Sequence, residues 1–220
     1  MLSALFKPTV LFKTLMTIRY LQLSPKHFKA IISLGEQVHG ENYLDLTSLT
    51  DLYERGVSGG VNASWVALEE HSGSLPSSKC GNRITEDGYL IGFRITIAAG
   101  QWQPDQWCSP DLWAVQPEHV CYFKSNTVDA STRGRGVGST LLKRSIQNAK
   151  KQGAIAGLAH IWLASPNNSA FRYFSQNGGE LVKKHPNKWR LLSIEDDYHC
   201  PVCNGVCECT AAEMLLTFNK

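Results

Sequence analysis

Apolar positions recur along the chain with two distinct periods, and the alternation between them predicts a mixed α/β protein. Residues 17–23 alternate as a first strand, and Ser24-Pro25 is a helix-start signal, with serine at the cap and proline in the first turn. Phe28, Ile31, Ile32, Gly35 and Val38 then follow helical spacing, and a second helix fits 47–55, with Leu49, Leu52 and Tyr53 inward and Gly56 ending it. Strands fit 64–69 and 89–98, joined by a polar stretch at 71–87 that is long for a hairpin loop. A central strand at 120–128 runs into a glycine-dense turn. The helix after it, 136–152, carries an apolar stripe of Val137, Leu141, Leu142, Ile146 and Ala149, with Lys143, Arg144, Lys150 and Lys151 on other faces. A strand at 157–164 follows, then a helix opened by Asn167 or Asn168 as cap. Strands at 180–184 and 213–218 complete the sheet, with 188–193 extending the first of them.

Composition narrows the classes. The chain has 220 residues, 43% of them hydrophobic, enough for one full core. We read 17–220 as a single domain with a cysteine-rich insertion at about 199–209, and 1–16 as an N-terminal extension, disordered or belonging to an alternative start. That first segment is apolar but broken by Lys7, Pro8 and Lys13, far short of the run of about 20 residues that spans a membrane. It has no acidic residue, which suits a transit peptide, a weak signal or a start upstream of Met16. A net charge of +3 argues against nucleic acid, which calls for a concentrated basic face. The expected partner is a small-molecule or peptide amine, with neither nucleic acid nor membrane, and the expected setting is the cytoplasm, as monomer or homodimer.

The densest chemical signal is Val128-Asp129-Ala130-Ser131-Thr132-Arg133-Gly134-Arg135-Gly136-Val137-Gly138-Ser139. Three alternate glycines free the backbone, and a helix starting near Gly136 would leave its first amides unpaired, with the dipole adding positive charge there. Arg133 and Arg135 reinforce an anion site. A P-loop is excluded because its second glycine falls on Ser139 and no lysine follows. The dinucleotide fingerprint fails at the same residue and lacks its acidic partner among 155–160.

Arg133, Gly136 and Gly138 resemble the Arg/Gln-x-x-Gly-x-Gly/Ala signature of the GNAT N-acetyltransferase superfamily. The stretch 167–179 resembles that family's Asn-x-x-Ala-x-x-aromatic/Leu-Tyr-x-x-x-Gly element, with Phe174 where the usual tyrosine stands. The resemblance implies a mixed, mostly antiparallel sheet of six to seven strands, its central parallel strands splayed and flanked by helices. It also implies acetyl-CoA as co-substrate, bound by Val128, Arg133, Gly134, Arg135, Gly136, Val137, Gly138, Ser139, Asn167 and Phe174. The implied activity is acetyl transfer to a primary amine by direct attack in a ternary complex. A main-chain N–H near Val128 would polarise the thioester carbonyl. Glu118, His119 and Asp129 are candidates for the base. Phe174 cannot protonate the leaving thiolate, and Tyr173 points about 100° away on a helix. The alternative is a non-catalytic acetyl-CoA sensor or interaction protein.

Two further stretches carry signal. Trp102, Trp107 and Trp113 lie among prolines between 100 and 117, as a satellite core or a wall of an acceptor pocket. Cys200, Cys203, Cys207 and Cys209 fall within ten residues, and Cys-Pro-x-Cys-x-Gly resembles a zinc knuckle. The Cys-x-Cys pair is tight for one ion, so His199 is an alternative ligand. Reduced thiols, disulfides and an iron–sulfur cluster are the other readings, and cytosolic conditions argue against disulfides.

Overall fold

A computed structural model describes residues 17–70, 82–196 and 198–218. The extension at 1–16 and most of the polar stretch after β4 lie outside the described residues. In chain order the strands are β1 (Ile18–Gln22), β2 (Val57–Ser58), β3 (Val61–Asn62), β4 (Trp65–Glu69), β5 (Ile84–Thr85), β6 (Gly88–Ile97), β7 (Val120–Val128), β8 (Ala156–Trp162), β9 (Glu180–His185) and β10 (Ala211–Thr217). The helices are α1 (Phe28–His39), α2 (Leu46–Arg55), α3 (Val137–Lys151), α4 (Ser169–Gln176) and α5 (Arg190–Glu195).

The main sheet runs β1-β4-β6-β7-β8-β10-β9, with β5 pairing β6 at the side. Every pairing is antiparallel except β7 with β8. That parallel pair holds only from Val120–Ala156 to Tyr122–Leu158, and beyond it the strands separate. The mixed sheet with one splayed parallel pair agrees with the fold expected from the sequence.

Helices cover both faces. On one, Phe28, Ile31 and Leu34 of α1 and Leu49 of α2 pack on Leu68, Phe93 and Ile95. On the other, Leu141 and Leu142 of α3 are fully buried, each contributing roughly 1.5–3 kcal/mol of apolar burial. Asp45 caps α2 by accepting from the Ser48 amide at 2.7 Å, so the helix starts at Leu46, one residue earlier than the pattern alone suggested. Gly56 ends that helix in a right-handed conformation. Its glycine is needed for a close approach, since a Cβ would lie 2.8 Å from the Thr96 carbonyl oxygen.

Three elements differ from the sequence expectation. Residues 190–195 form a helix rather than a strand, because β9 ends at His185 and the chain turns through Pro186 and Asn187, the latter at φ 60°. The hairpin β2–β3 was missed, although Gly59-Gly60, both at positive φ, is a strong hairpin turn signal. Neither asparagine caps α4 with its side chain: the Ala170 amide donates to Ser165 Oγ at 3.1 Å, while Asn167 and Asn168 sit at φ 53° and 52° in the kink before the helix.

Candidate active site

The glycine turn links β7 to α3, as its composition predicts. Gly134 and Gly136 take φ 80° and 77°, in the left-handed region, and a Cβ at either would meet nothing within 4 Å, so this face of the backbone is open. Gly136 occupies the cap position of α3, and the first amides of that 15-residue helix point out of its end. Gly138 is a close-approach glycine, 3.2 Å from Asn126 Nδ2 and 3.3 Å from the Tyr173 ring measured from a Cβ. Arg133 donates from Nε to the Val128 carbonyl at 3.3 Å, and Arg135 pairs with Glu69. Asp129 is consumed structurally: it pairs with Arg83 and accepts from the Ser131 amide at 2.8 Å. Burial would raise its pKa, but the hydrogen bonds from Ser131 and Arg83 outweigh it and keep the carboxyl ionised. It is therefore a poor base.

Where β7 and β8 part, a cavity of about 1810 Å³ opens, running from Arg133, Gly136 and Ser139 past the strand ends to α1, α2 and α5. Tyr122 and His160 face each other across the split, with Tyr122 Oη 3.0 Å from His160 Nδ1. His160 Nε2 lies 2.6 Å from the Trp107 carbonyl oxygen. A carbonyl only accepts, so Nε2 carries the proton and Nδ1 accepts from the tyrosine. Burial, helped by Lys188, lowers the His160 pKa to about 4, and burial raises that of Tyr122. At neutral pH this is a neutral tyrosine–imidazole pair. The two residues are 38 positions apart, and no local motif announces them.

Glu118 and His119 are not part of this site. They lie exposed in a single helical turn before Val120, at the opposite end of β7 from Val128, and neither lines the cavity. Thr127 lies eight residues beyond His119 along the strand, roughly 26 Å at about 3.3 Å per residue. Asn167 is exposed and also off the cavity wall, which Ser165, Pro166, Ser169 and Ala170 form in this stretch.

Tyr173 and Phe174 divide along the helix as their 100° offset requires. Phe174 is 1% exposed and packs edge-on against Phe123, within the core. Tyr173 turns its hydroxyl to the start of α3, donating to the Gly138 carbonyl at 3.0 Å. Behind it lies Arg94, 1% exposed, whose guanidinium sits 4.4 Å over the Phe123 ring and donates to Tyr173 Oη at 3.3 Å. Among the described residues Arg94 pairs with no carboxylate, and its Nε has no partner. Burial raises the Tyr173 pKa, with Arg94 opposing, so the phenol holds its proton.

The tryptophans split between the two expectations. Trp113 is buried and donates to Glu213 Oε1 at 2.7 Å, whereas Trp102 and Trp107 line the cavity. Opposite them, His39 at the end of α1 stacks on Tyr43 and contacts Thr127 Oγ1 at 2.9 Å through Nε2. Burial and Arg133 lower its pKa to about 4.

The cysteine segment forms the adjoining wall. The sulfurs of Cys200, Cys203, Cys207 and Cys209 all lie within 4.8 Å of one another, with Cys209 3.8 Å from Cys200 and 3.5 Å from Cys203. Four thiolates at about 2.3 Å from a tetrahedral zinc are about 3.8 Å apart, so the donor set fits such an ion. His199 is mostly exposed, 3.8 Å from Glu41, and outside the set. The segment packs tightly on α1: Tyr198 Oη donates to the His39 carbonyl at 2.9 Å, and a Cβ on Gly40 would lie 2.1 Å from the His199 carbonyl oxygen.

Comparison with known proteins agrees with this geometry. The sequence model described as "Acetyltransferase (GNAT) family" matches residues 46–178. No curated protein sequence matches. Among solved structures, the fold is similar to a chain of the NatC complex bound to Gag peptide and CoA, with TM-score 0.62 and 14% identity over 93% of this chain and 100% of that one. It is similar to Ard1 from Thermoplasma volcanium, with TM-score 0.58 and 14% identity over 92% and 99%. The ribosomal-protein-S18-alanine N-acetyltransferase from Escherichia coli aligns with TM-score 0.57 and 15% identity over 93% and 96%.

Proposed function

The chain belongs to the GNAT acetyltransferase family, and from that premise we propose that it transfers the acetyl group of acetyl-CoA to a primary amine by direct attack in a ternary complex. The observation that carries this reading is the separation of β7 from β8 after three register pairs. It opens one cavity between the amides of α3 and the Tyr122–His160 pair.

In this reading the CoA pyrophosphate lies on the amides of 134–139, where the α3 dipole and Arg133 favour an anion. Main-chain N–H groups of β7 near Val128 polarise the thioester carbonyl. The amine nitrogen attacks that carbon, and its proton leaves through water in the cavity toward Tyr122 Oη, roughly 20 Å along β7 from Val128, as the tyrosine proton moves to His160 Nδ1. The carbon–sulfur bond then breaks, and Tyr173, backed by the Arg94 charge, protonates the thiolate. Tyr173 thus takes the task that Phe174 cannot perform, from the neighbouring helix position.

Cys200, Cys203, Cys207 and Cys209 would hold a structural zinc, whose four thiolates leave no open position for chemistry. Bound there, it supplies a cross-link that fixes the wall beside His39. Reduced thiolates of this kind suit the cytoplasm.

The test is thiol release from acetyl-CoA across amine classes with the purified protein. Turnover that depends on the amine is expected. Stabilisation by acetyl-CoA with no turnover on small amines, polyamines or peptides would replace the transferase by a sensor.

A further inference from the structure

One wall of the cleft has no backbone ladder to hold it. From Tyr198 to Thr210, between α5 and β10, the chain forms neither helix nor strand, yet Tyr198, Pro201, Val202 and Cys207 line the cavity. Such a segment is ordered by what its side chains grip. Its buried anchors are the thiols themselves: Cys200, Cys207 and Cys209 are 6%, 1% and 6% exposed, and with Cys203 they pack against Trp162, Trp189 and Tyr198.

Two of those aromatic residues join the thiols to different parts of the cleft. Trp162 ends β8 and lines the cavity. Tyr198 donates from Oη to the His39 carbonyl at 2.9 Å, one of the last carbonyls of α1, which lack a partner within the helix. The His39 imidazole contacts Thr127 Oγ1 at 2.9 Å, and Ser125 Oγ lies 3.2 Å from Thr127 Oγ1 while accepting from Tyr43 Oη at 2.9 Å. Thr127 adjoins Val128, where the thioester carbonyl lies in the transferase reading. A line of contacts thus runs from the thiols through Tyr198 and the end of α1 to the place of attack. The turn at 134–139 is anchored separately, through Arg135 on Glu69 and Arg133 on the Val128 carbonyl. The body of α1 is also held apart from the module, by Phe28, Ile31 and Leu34 on the sheet.

We infer that the cysteine module governs the acceptor end of the cleft, with Tyr198 as a positioning residue. With metal in the thiolates it holds the end of α1 and the aromatic wall in place for the amine. Without metal, acetyl-CoA still binds and the acceptor site loosens. This rests on the transferase and structural-zinc readings. Coupling between two sites is reciprocal, so the bound acceptor also tightens the metal.

The experiment compares the protein as purified, the protein stripped by a chelator and the stripped protein reloaded with zinc. The acceptor is the amine that turns over fastest in the thiol-release screen. Stripping should raise its KM about tenfold, within the range usual for coupled sites, with kcat nearly constant and the acetyl-CoA melting shift retained. Zinc should restore KM. Tyr198→Phe keeps the ring and all four thiols and removes only the hydrogen bond to α1. It should retain one zinc per chain, raise KM about three- to tenfold, and make KM less sensitive to stripping. A ring that only fills space would leave all of these at wild-type values. Chelator competition should show zinc held more tightly when CoA and the acetylated amine are present, and less so in Tyr198→Phe. A readout free of turnover is acrylamide quenching of the emission that Trp162→Phe removes, which should increase on stripping. A KM indifferent to both zinc and Tyr198→Phe overturns the inference while leaving the transferase intact. Should stripping abolish the melting transition, Tyr198→Phe decides, and an unchanged KM there overturns it. A wild type that takes up no zinc defeats the metal reading and this one together. Absence of turnover with every amine defeats the transferase reading, and quenching that is equal in stripped and reloaded protein then defeats this one as well.

Discussion

Replacing His160 by glutamine removes the group on which the proposed proton path ends. The imidazole is neutral at pH 7 because burial and Lys188 hold its pKa at about 4, and its tautomer is set by the 2.6 Å contact with the Trp107 carbonyl. The Nδ1 lone pair therefore faces Tyr122 Oη at 3.0 Å, ready to accept. A positioned base contributes about 10²–10⁴ in rate, or about 3–5 kcal/mol of barrier at 1.36 kcal/mol per decade. Thiol-release kinetics on His160→Gln should show kcat reduced by about 100-fold or more, with stabilisation by acetyl-CoA retained. In the wild type, activity is lost as pH falls through about 4, where the imidazole takes up a proton, and this limb should vanish in the variant. Tyr122→Phe should cost a similar factor. Because the two act as one relay, the double variant should be no slower than the slower single variant. Losses below threefold in both single variants, or losses that multiply in the double, would refute the relay.

Gly136→Val places a β-branched residue at φ 77°, a strain of about 1–2 kcal/mol, and a side chain on the open face of the turn. Melting should fall modestly and the acetyl-CoA shift should disappear; a preserved shift would remove the pyrophosphate from this turn. Native mass spectrometry should find one zinc per chain, lost in Cys203→Ser, and a metal-free wild type would sink the structural-zinc reading. His39 and His160 both have pKa values lowered from 6.5 to about 4, so the unfolded chain takes up protons first as pH falls. Their contribution is present above pH 6.5 and lost as pH approaches 4; a urea midpoint flat across that window would contradict it. Gly157→Ala would put a Cβ 2.2 Å from Phe123 Cε2, an overpacking cost of about 1–3 kcal/mol, and an unchanged melting temperature would show that the ring has room to move.

Much of this was legible locally. The extent of β7 follows from its apolar run, and the stripe of α3 is the one its spacing predicts. The Gly59-Gly60 hairpin was also legible, but its strands are two residues each, too short to show a period. Helix α5 was obscured for a different reason. Leu191, Leu192 and Ile194 remain 51%, 41% and 57% exposed, so the usual link between apolar spacing and a buried face is absent there. Glu118 and His119 were attractive as bases because they adjoin the central strand, yet both lie exposed on the turn before it and off the cavity wall.

By itself the sequence determined the glycine turn between β7 and α3, most of the main-sheet strands and the helices α1 to α4, and the four thiols within ten residues. Each depends on backbone freedom, hydrophobic period or close spacing, all properties of neighbours along the chain. Tertiary structure alone decided which groups meet in the cleft. Tyr122 joins His160 because β7 and β8 run parallel before they part, Lys124 enters through a one-residue slip against β6, and Arg94 reaches Tyr173 across the sheet. Those contacts arise from pairing and packing between distant segments, for which local spacing holds no signal.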